Sequence, residues 1–210
     1  MGAEEWVPER PTLPRLRAAV QECRGCELYR DATQGVMGDG DPEAELVLLG
    51  EQPGDQEDQA GEPFVGPAGR VLDDALADAG IGPERVYTTN VVKHFRWSGM
   101  RGKRRIHQSP KQAHVAACRP WLDAELRMLR PRGVVLLGGT AGKALYGPSF
   151  KVGEARGRQL AWPEDRPVAV PPRWVLATTH PSAVLRARDE RQAAYDALVA
   201  DLRTAAELLG

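Results

Sequence analysis

The chain predicts an α/β fold of three layers, α/β/α, around a central, mainly parallel sheet of four strands. Three observations lead there. Four short runs are almost continuously apolar, the pattern of strands buried on both faces. Segments with apolar residues three and four apart alternate with them, and strand–helix alternation makes a parallel sheet covered by helices. At 210 residues the chain is long enough for one sizeable core, so residues 1–210 are expected to form a single domain.

The strands are expected at 44–50 (AELVLLG), 85–92 (RVYTTNVV), 133–139 (GVVLLGG) and 173–180 (RWVLATTH). Helical spacing marks 69–79, 110–129 and a longer stretch over 183–209. Residues 162–173 carry four prolines and read as a surface loop. Gly138-Gly139-Thr140-Ala141-Gly142-Lys143 has the wrong glycine spacing for a phosphate-binding loop, and Ala144 stands where Ser or Thr is required. It is expected to be a tight turn into a helix.

Charge is divided along the chain. Net charge is −1, yet 31–69 holds ten Asp/Glu and no Lys/Arg, while 90–122 holds eight Lys/Arg and no Asp/Glu. The basic half suits a polyanion, though two solvated faces would look the same. The N-terminus has no secretory apolar core, no run is long enough to span a bilayer, and Trp6 replaces the Ser/Thr of a myristoylation signal. A cytoplasmic location without membrane partners is expected.

In open α/β sheets ligands bind beyond the carboxyl ends of the strands. Those ends here carry Glu51, Gln52, Gly54 and Asp55, then Asn90 and His94, then His180 and Ser182. A carboxylate, an amide and imidazoles are thus expected on one edge. Cys23-Arg-Gly-Cys26 and Cys118 are the only cysteines. A close pair in a reducing compartment points to metal, and three thiolates need a fourth donor. His94 and His114 both qualify by position; zinc and an iron–sulfur cluster stay open.

The ordered motifs CRGC, GEQPGDQED with PFVGPAGRVLD, TNVVK, CRPWL and HPS resemble the type 4 iron–sulfur uracil-DNA glycosylases, from Cys23 to about Arg186. Three departures occur: Gln52 replaces an Ala, His94 replaces a Cys, and an insertion holds Lys103-Arg104-Arg105-Ile106-His107. All three match the X-type branch, whose members become covalently attached to uracil-containing DNA.

The resemblance implies a [4Fe–4S] cluster on Cys23, Cys26, His94 and Cys118, with His114 an exposed helix residue. It implies a uracil pocket in which Phe64 stacks, Asn90 reads O4 and N3–H, and main-chain groups of Gln52, Gly54 and Asp55 approach the base. Glu57 lies in the same loop. His180 stabilises the departing base, Ser182 holds a phosphate, and Glu51 stabilises positive charge. His107 becomes the attacking nucleophile. Lys103, Arg104 and Arg105 attract DNA phosphates and, by like-charge repulsion, keep His107 neutral. The expected partner is uracil-containing DNA, single-stranded or with a flipped base, bound by a monomer. A conventional multiple-turnover glycosylase and a non-catalytic iron–sulfur DNA-binding module are the alternatives.

Overall fold

The computed structural model describes residues 2–166 and 168–210. Met1 lies outside them, as does Pro167 in the expected proline-rich loop. Eight strands run in chain order: β1 (Asp39–Gly40), β2 (Leu46–Gly50), β3 (Val86–Asn90), β4 (Trp97–Arg101), β5 (Arg104–His107), β6 (Gly133–Leu137), β7 (Gln159–Leu160) and β8 (Trp174–Thr178). The helices are α1 (Leu13–Ala19), α2 (Asp55–Ala60), α3 (Pro67–Asp78), α4 (Gln112–Leu129), α5 (Gly139–Tyr146), α6 (Val152–Ala155), α7 (Pro181–Arg186) and α8 (Arg191–Leu209). None of the described helices is long and apolar enough to cross a membrane.

The apolar runs are continuous because both sheet faces are covered. Leu46 and Leu48 of β2, Val135 and Leu137 of β6 and Leu176 of β8 face Leu72 and Leu76 of α3 and Leu198 and Leu202 of α8. Their alternates, Val47, Leu49, Val134, Leu136, Val175 and Ala177, face Trp121 and Leu122 of α4, Leu16 of α1 and Leu145 of α5. Each fully buried large aliphatic side chain contributes about 1.5–3 kcal/mol, so the two layers clamp the sheet between them.

The sheet order is β1-β3-β2-β6-β8-β7. β3, β2, β6 and β8 are parallel, as expected, but β1 and β7 add antiparallel edges and make six strands. Two-residue strands carry no periodicity to read. The chain moves from β2 to β3 on one side and later to β6 on the other, so a topological switch point lies between β2 and β6. That is where such sheets open a ligand crevice.

Two further expectations are corrected. The long C-terminal helix is two helices, broken at 187–190, where Arg188 takes φ +44°. The break lets both α7 and α8 pack against α3, which one straight rod could not do. The basic loop is a hairpin of β4 and β5, with Arg101 paired to Arg104 across Gly102-Lys103. Gly102 has φ +61°, as a type II′ turn requires of its first central residue.

Candidate active site

The sheet's carboxyl edge builds the site from main chain outward. Parallel pairing continues past the strands: Val91 N–H donates to Gly50 O at 3.0 Å and Val92 N–H to Glu51 O at 3.1 Å. A Cβ on Gly50 would press into Asn90 Oδ1 and come within 2.7 Å of Phe64 Cζ. Bare backbone is therefore what lets the Asn90 amide and the Phe64 ring sit together. Phe64 itself holds φ +58°, a conformation bulky residues reach only when their surroundings impose it. Gly69 supplies part of that surrounding, since any side chain there would collide with the Phe64 carbonyl.

Asn90 is buried, and its carbonyl accepts from Lys93 Nζ at 2.8 Å. Among the described residues no hydrogen bond engages its side-chain amide. The network below it is closed: Lys93 Nζ also meets Glu125 Oε2 at 2.6 Å and Thr89 Oγ1 at 2.8 Å. Glu125 in turn accepts from Tyr87 Oη, Thr89 Oγ1 and the Gly38 N–H. Both charged side chains are 0% exposed.

The His180 ring stacks on Phe64, with centroids 6.2 Å apart and planes at 26°. Its Nδ1 accepts from the Ser182 N–H at 3.1 Å and lies 2.8 Å from Ser182 Oγ. Burial, reinforced by Arg186 and His107, lowers its pKa to about 4. The neutral ring with Nδ1 as acceptor carries its proton on Nε2, so Nε2–H is a fixed donor. Ser182 Oγ also accepts from Arg186 at 2.8 Å.

Glu51 divides its two oxygens. Oε2 accepts from Thr140 Oγ1, and Oε1 lies 3.4 Å from His107 Nε2. His107 is 47% exposed on its side chain and arrives from the hairpin, not from the sheet. Gln52 holds the hairpin's base: Nε2 donates to Arg96 O and Gln108 O, both at 3.1 Å, and Oε1 accepts from Arg96 N–H. Gln52 thus meets the insertion with its side chain, beyond the main-chain role expected for it.

Arg105 differs most from expectation. Its guanidinium reaches Asp55 Oδ1 at 2.6 Å and Asp58 Oδ2 at 2.7 Å, and lies over Phe95 and Trp97 at 5.2 and 5.6 Å. It fastens the hairpin to α2 rather than presenting itself to phosphate, and the Asp55 carboxylate is spent on the same latch. Glu57 Oε1 caps the Gly66 N–H, at the start of α3. Lys103 and Arg104 are exposed and form no ion pair among the described residues. The His107 pKa is lowered, as expected, but for a different reason: partial burial comes first, Glu51 opposes it, and Arg186 adds to it. Lys103, Arg104 and Arg105 are not among the causes.

The cysteines gather on the α4 side. Trp121 Nε1–H donates to Cys23 Sγ at 3.3 Å and Lys93 N–H to Cys118 Sγ at 3.2 Å. Gly25 lets the N-terminal segment cross directly over the CRGC loop, and Ala3 N–H donates to Ala117 O. Burial raises the Cys26 thiol and pushes Cys118 up to about 12, with Cys23 acting on both and Cys26 on Cys118. Buried His94 is lowered to about 4 and keeps a free lone pair. A neutral imidazole, the buried Cys23 and Cys118 sulfurs and N–H···S bonds are chemistry that a cluster site would use. No group of three or more His, Cys, Asp or Glu among the described residues is arranged to hold a metal ion. His114 is buried, not exposed: Nδ1 accepts from Lys111 N–H and Nε2 meets Glu27 at 2.8 Å, which ties α4 to the residue after Cys26.

Sequence reading missed Gly50, Thr140, Arg186 and the pairing of Lys93 with Glu125. Thr140 has a local signal, the Gly138-Gly139 pair before it, but that pair predicts only a tight turn into a helix.

Comparison with known proteins agrees with this geometry. The model of the uracil DNA glycosylase superfamily matches residues 37–203. A Type-4 uracil-DNA glycosylase of Archaeoglobus fulgidus is 33% identical over 204 residues, covering 95% of this chain and 94% of the relative. Those of Thermotoga maritima (34%, covering 80% and 81%) and Sulfurisphaera tokodaii (31%, covering 83% and 76%) are similar. The matched span runs from before β1 to within α8 and takes in every strand end that builds the crevice. With the family model matching most of the sequence and full-length relatives more than 30% identical, this chain belongs to the uracil DNA glycosylase superfamily.

Proposed function

We propose that the chain is a uracil-DNA glycosylase that excises uracil and becomes attached to the resulting abasic site through His107. The observation that carries this reading is the meeting of Glu51 Oε1 with His107 Nε2 at 3.4 Å, beside a pocket of Phe64, Asn90 and His180.

Uracil enters as an unpaired or flipped base. Phe64 stacks on it and the free Asn90 amide pairs with O4 and N3–H. The C1′–N1 bond breaks with its electron pair leaving on the base, and His180 Nε2–H donates to O2 as charge builds there. The sugar becomes an oxocarbenium ion, stabilised by the Glu51 carboxylate. A neutral His107 nitrogen then gives its lone pair to C1′. The other ring nitrogen loses its proton to Glu51 or solvent, and the uracil anion is protonated by water. Product is free uracil and a sugar–imidazole adduct. Lys103, Arg104 and Ser182 are assigned to phosphates, while Arg105 holds the hairpin.

Cys23, Cys26, His94 and Cys118 are assigned to a [4Fe–4S] cluster, which would fasten the N-terminal segment to α4 and the end of β3. Iron and sulfide in the anaerobically purified protein support this; stoichiometric zinc from iron-replete cells speaks against it.

The test is denaturing electrophoresis with a uracil-containing oligonucleotide. Wild type gives a heat-stable shifted band, and His107→Ser gives none while releasing abasic DNA. A band of undiminished intensity with His107→Ser removes the nucleophile assignment. Steady-state uracil release far beyond the enzyme concentration favours a conventional glycosylase.

A further inference from the structure

Glu51 can serve the sugar and His107 only if its carboxylate is held in one orientation, and its flexible side chain does not ensure that. The crevice supplies a restraint from the facing side. β6 ends at Leu137 and runs into Gly138, whose φ of +94° turns the chain so tightly that a Cβ there would lie 3.0 Å from the Cβ of His180. The Gly138 N–H donates to Thr178 O at 2.9 Å, which fixes the turn to the end of β8. α5 then begins at Gly139, so Thr140 lies in its first turn. There its hydroxyl donates to Glu51 Oε2.

We propose that Thr140 is a positioning residue for the reaction. By binding Oε2 it commits Oε1 to His107 and leaves Glu51 no freedom to turn toward solvent. The bond spans the switch point between β2 and β6, and the same turn is bonded to the strand that leads to His180. One tight turn therefore sets the carboxylate relative to both imidazoles. The positive end of the α5 dipole favours a carboxylate at this place, but the hydroxyl gives the direction. This inference rests on the role given to Glu51 above and not on the fate of the adduct.

Single-turnover time courses with excess protein read uracil release and adduct formation separately. Thr140→Val keeps the shape and removes the donor; adduct formation slows about tenfold or more, the loss of a hydrogen bond to a charged group. Thr140→Ser keeps a hydroxyl and recovers most of the rate, which a merely structural role does not predict when both variants melt alike. In a Glu51→Gln background Thr140→Val has little further effect. Wild-type rates for Thr140→Val, equal slowing by Ser and Val, or full slowing in the Glu51→Gln background each overturn the proposal. If wild type forms no adduct, the covalent reading fails alone. The uracil-release rates of the same variants then decide the role of Thr140.

Discussion

The two halves of the site are built differently. Glu51, Asn90 and His180 stand at the ends of parallel strands whose side chains are core on both faces. His107 stands on a hairpin with an exposed outer surface, attached by polar ties from Gln52, Arg105 and Arg96. The strand ends cannot shift without disturbing the sheet; the hairpin can be loosened by itself. The pocket proposed to recognise a base is thus part of the fold, while the residue proposed to capture the sugar is carried on an addition to it. If so, recognition and capture are separable by substitution.

The largest effect is expected beneath the pocket. Lys93→Met leaves the Glu125 carboxylate buried with no countercharge, and breaking such a pair costs about 3–5 kcal/mol. Urea unfolding of the intact protein should show that loss, and uracil release and capture should fail together. A midpoint equal to wild type would mean that Asn90 does not depend on this network.

Next comes the pocket floor. Gly50→Ala places a methyl group where Asn90 Oδ1 and the Phe64 ring already meet. Uracil release should fall about a hundredfold, or about 2.7 kcal/mol of transition-state stabilisation. Because the sugar is not freed, capture should fall with it. Loss of capture with uracil release unchanged would instead place the damage on the hairpin side.

Breaking the latch is the opposite case. Arg105→Ala removes the ties to Asp55 and Asp58 but no group of the pocket. Adduct formation is expected to drop about tenfold while uracil release changes by less than about threefold, with a stability loss of about 1–3 kcal/mol. Equal loss of both rates would erase the distinction between the two halves.

The sequence disclosed one half better than the other, for physical reasons. Long apolar runs and strand-end polar residues are local signals, so the four parallel strands and the convergence of Glu51, Asn90 and His180 were legible. The hairpin is polar and short, and only Gly102 hinted at its turn. Arg105 looked like its neighbours Lys103 and Arg104 because nothing local says that Asp55 and Asp58 wait opposite it. The same blindness hid Thr140, His114 and the true cause of the His107 shift, all contacts between residues far apart in the chain. The edge strands β1 and β7 are two residues long and draw their pairing entirely from β3 and β8.

Acid should separate the halves most gently. Capture needs a neutral His107, and burial, opposed by Glu51, brings its pKa below the usual 6.5. Adduct formation should therefore be level above neutral pH and decline only below 6.5, as the imidazole protonates. Glu51→Gln removes the one large influence that raises the pKa, so the midpoint of whatever capture remains should move further down. His180 sets a second window. Its folded pKa of about 4 lies below the unfolded 6.5, so the unfolded chain binds more protons between those values. Folding stability is then intact above 6.5 and lost progressively toward 4, which unfolding midpoints at successive pH values would record. His107 is only half-buried, by the docking of the hairpin against Glu51 and Phe95. A capture midpoint at or above 6.5 would accordingly mean that the hairpin stands open in solution and closes on DNA, whereas a lower one means that the nucleophile is already in place.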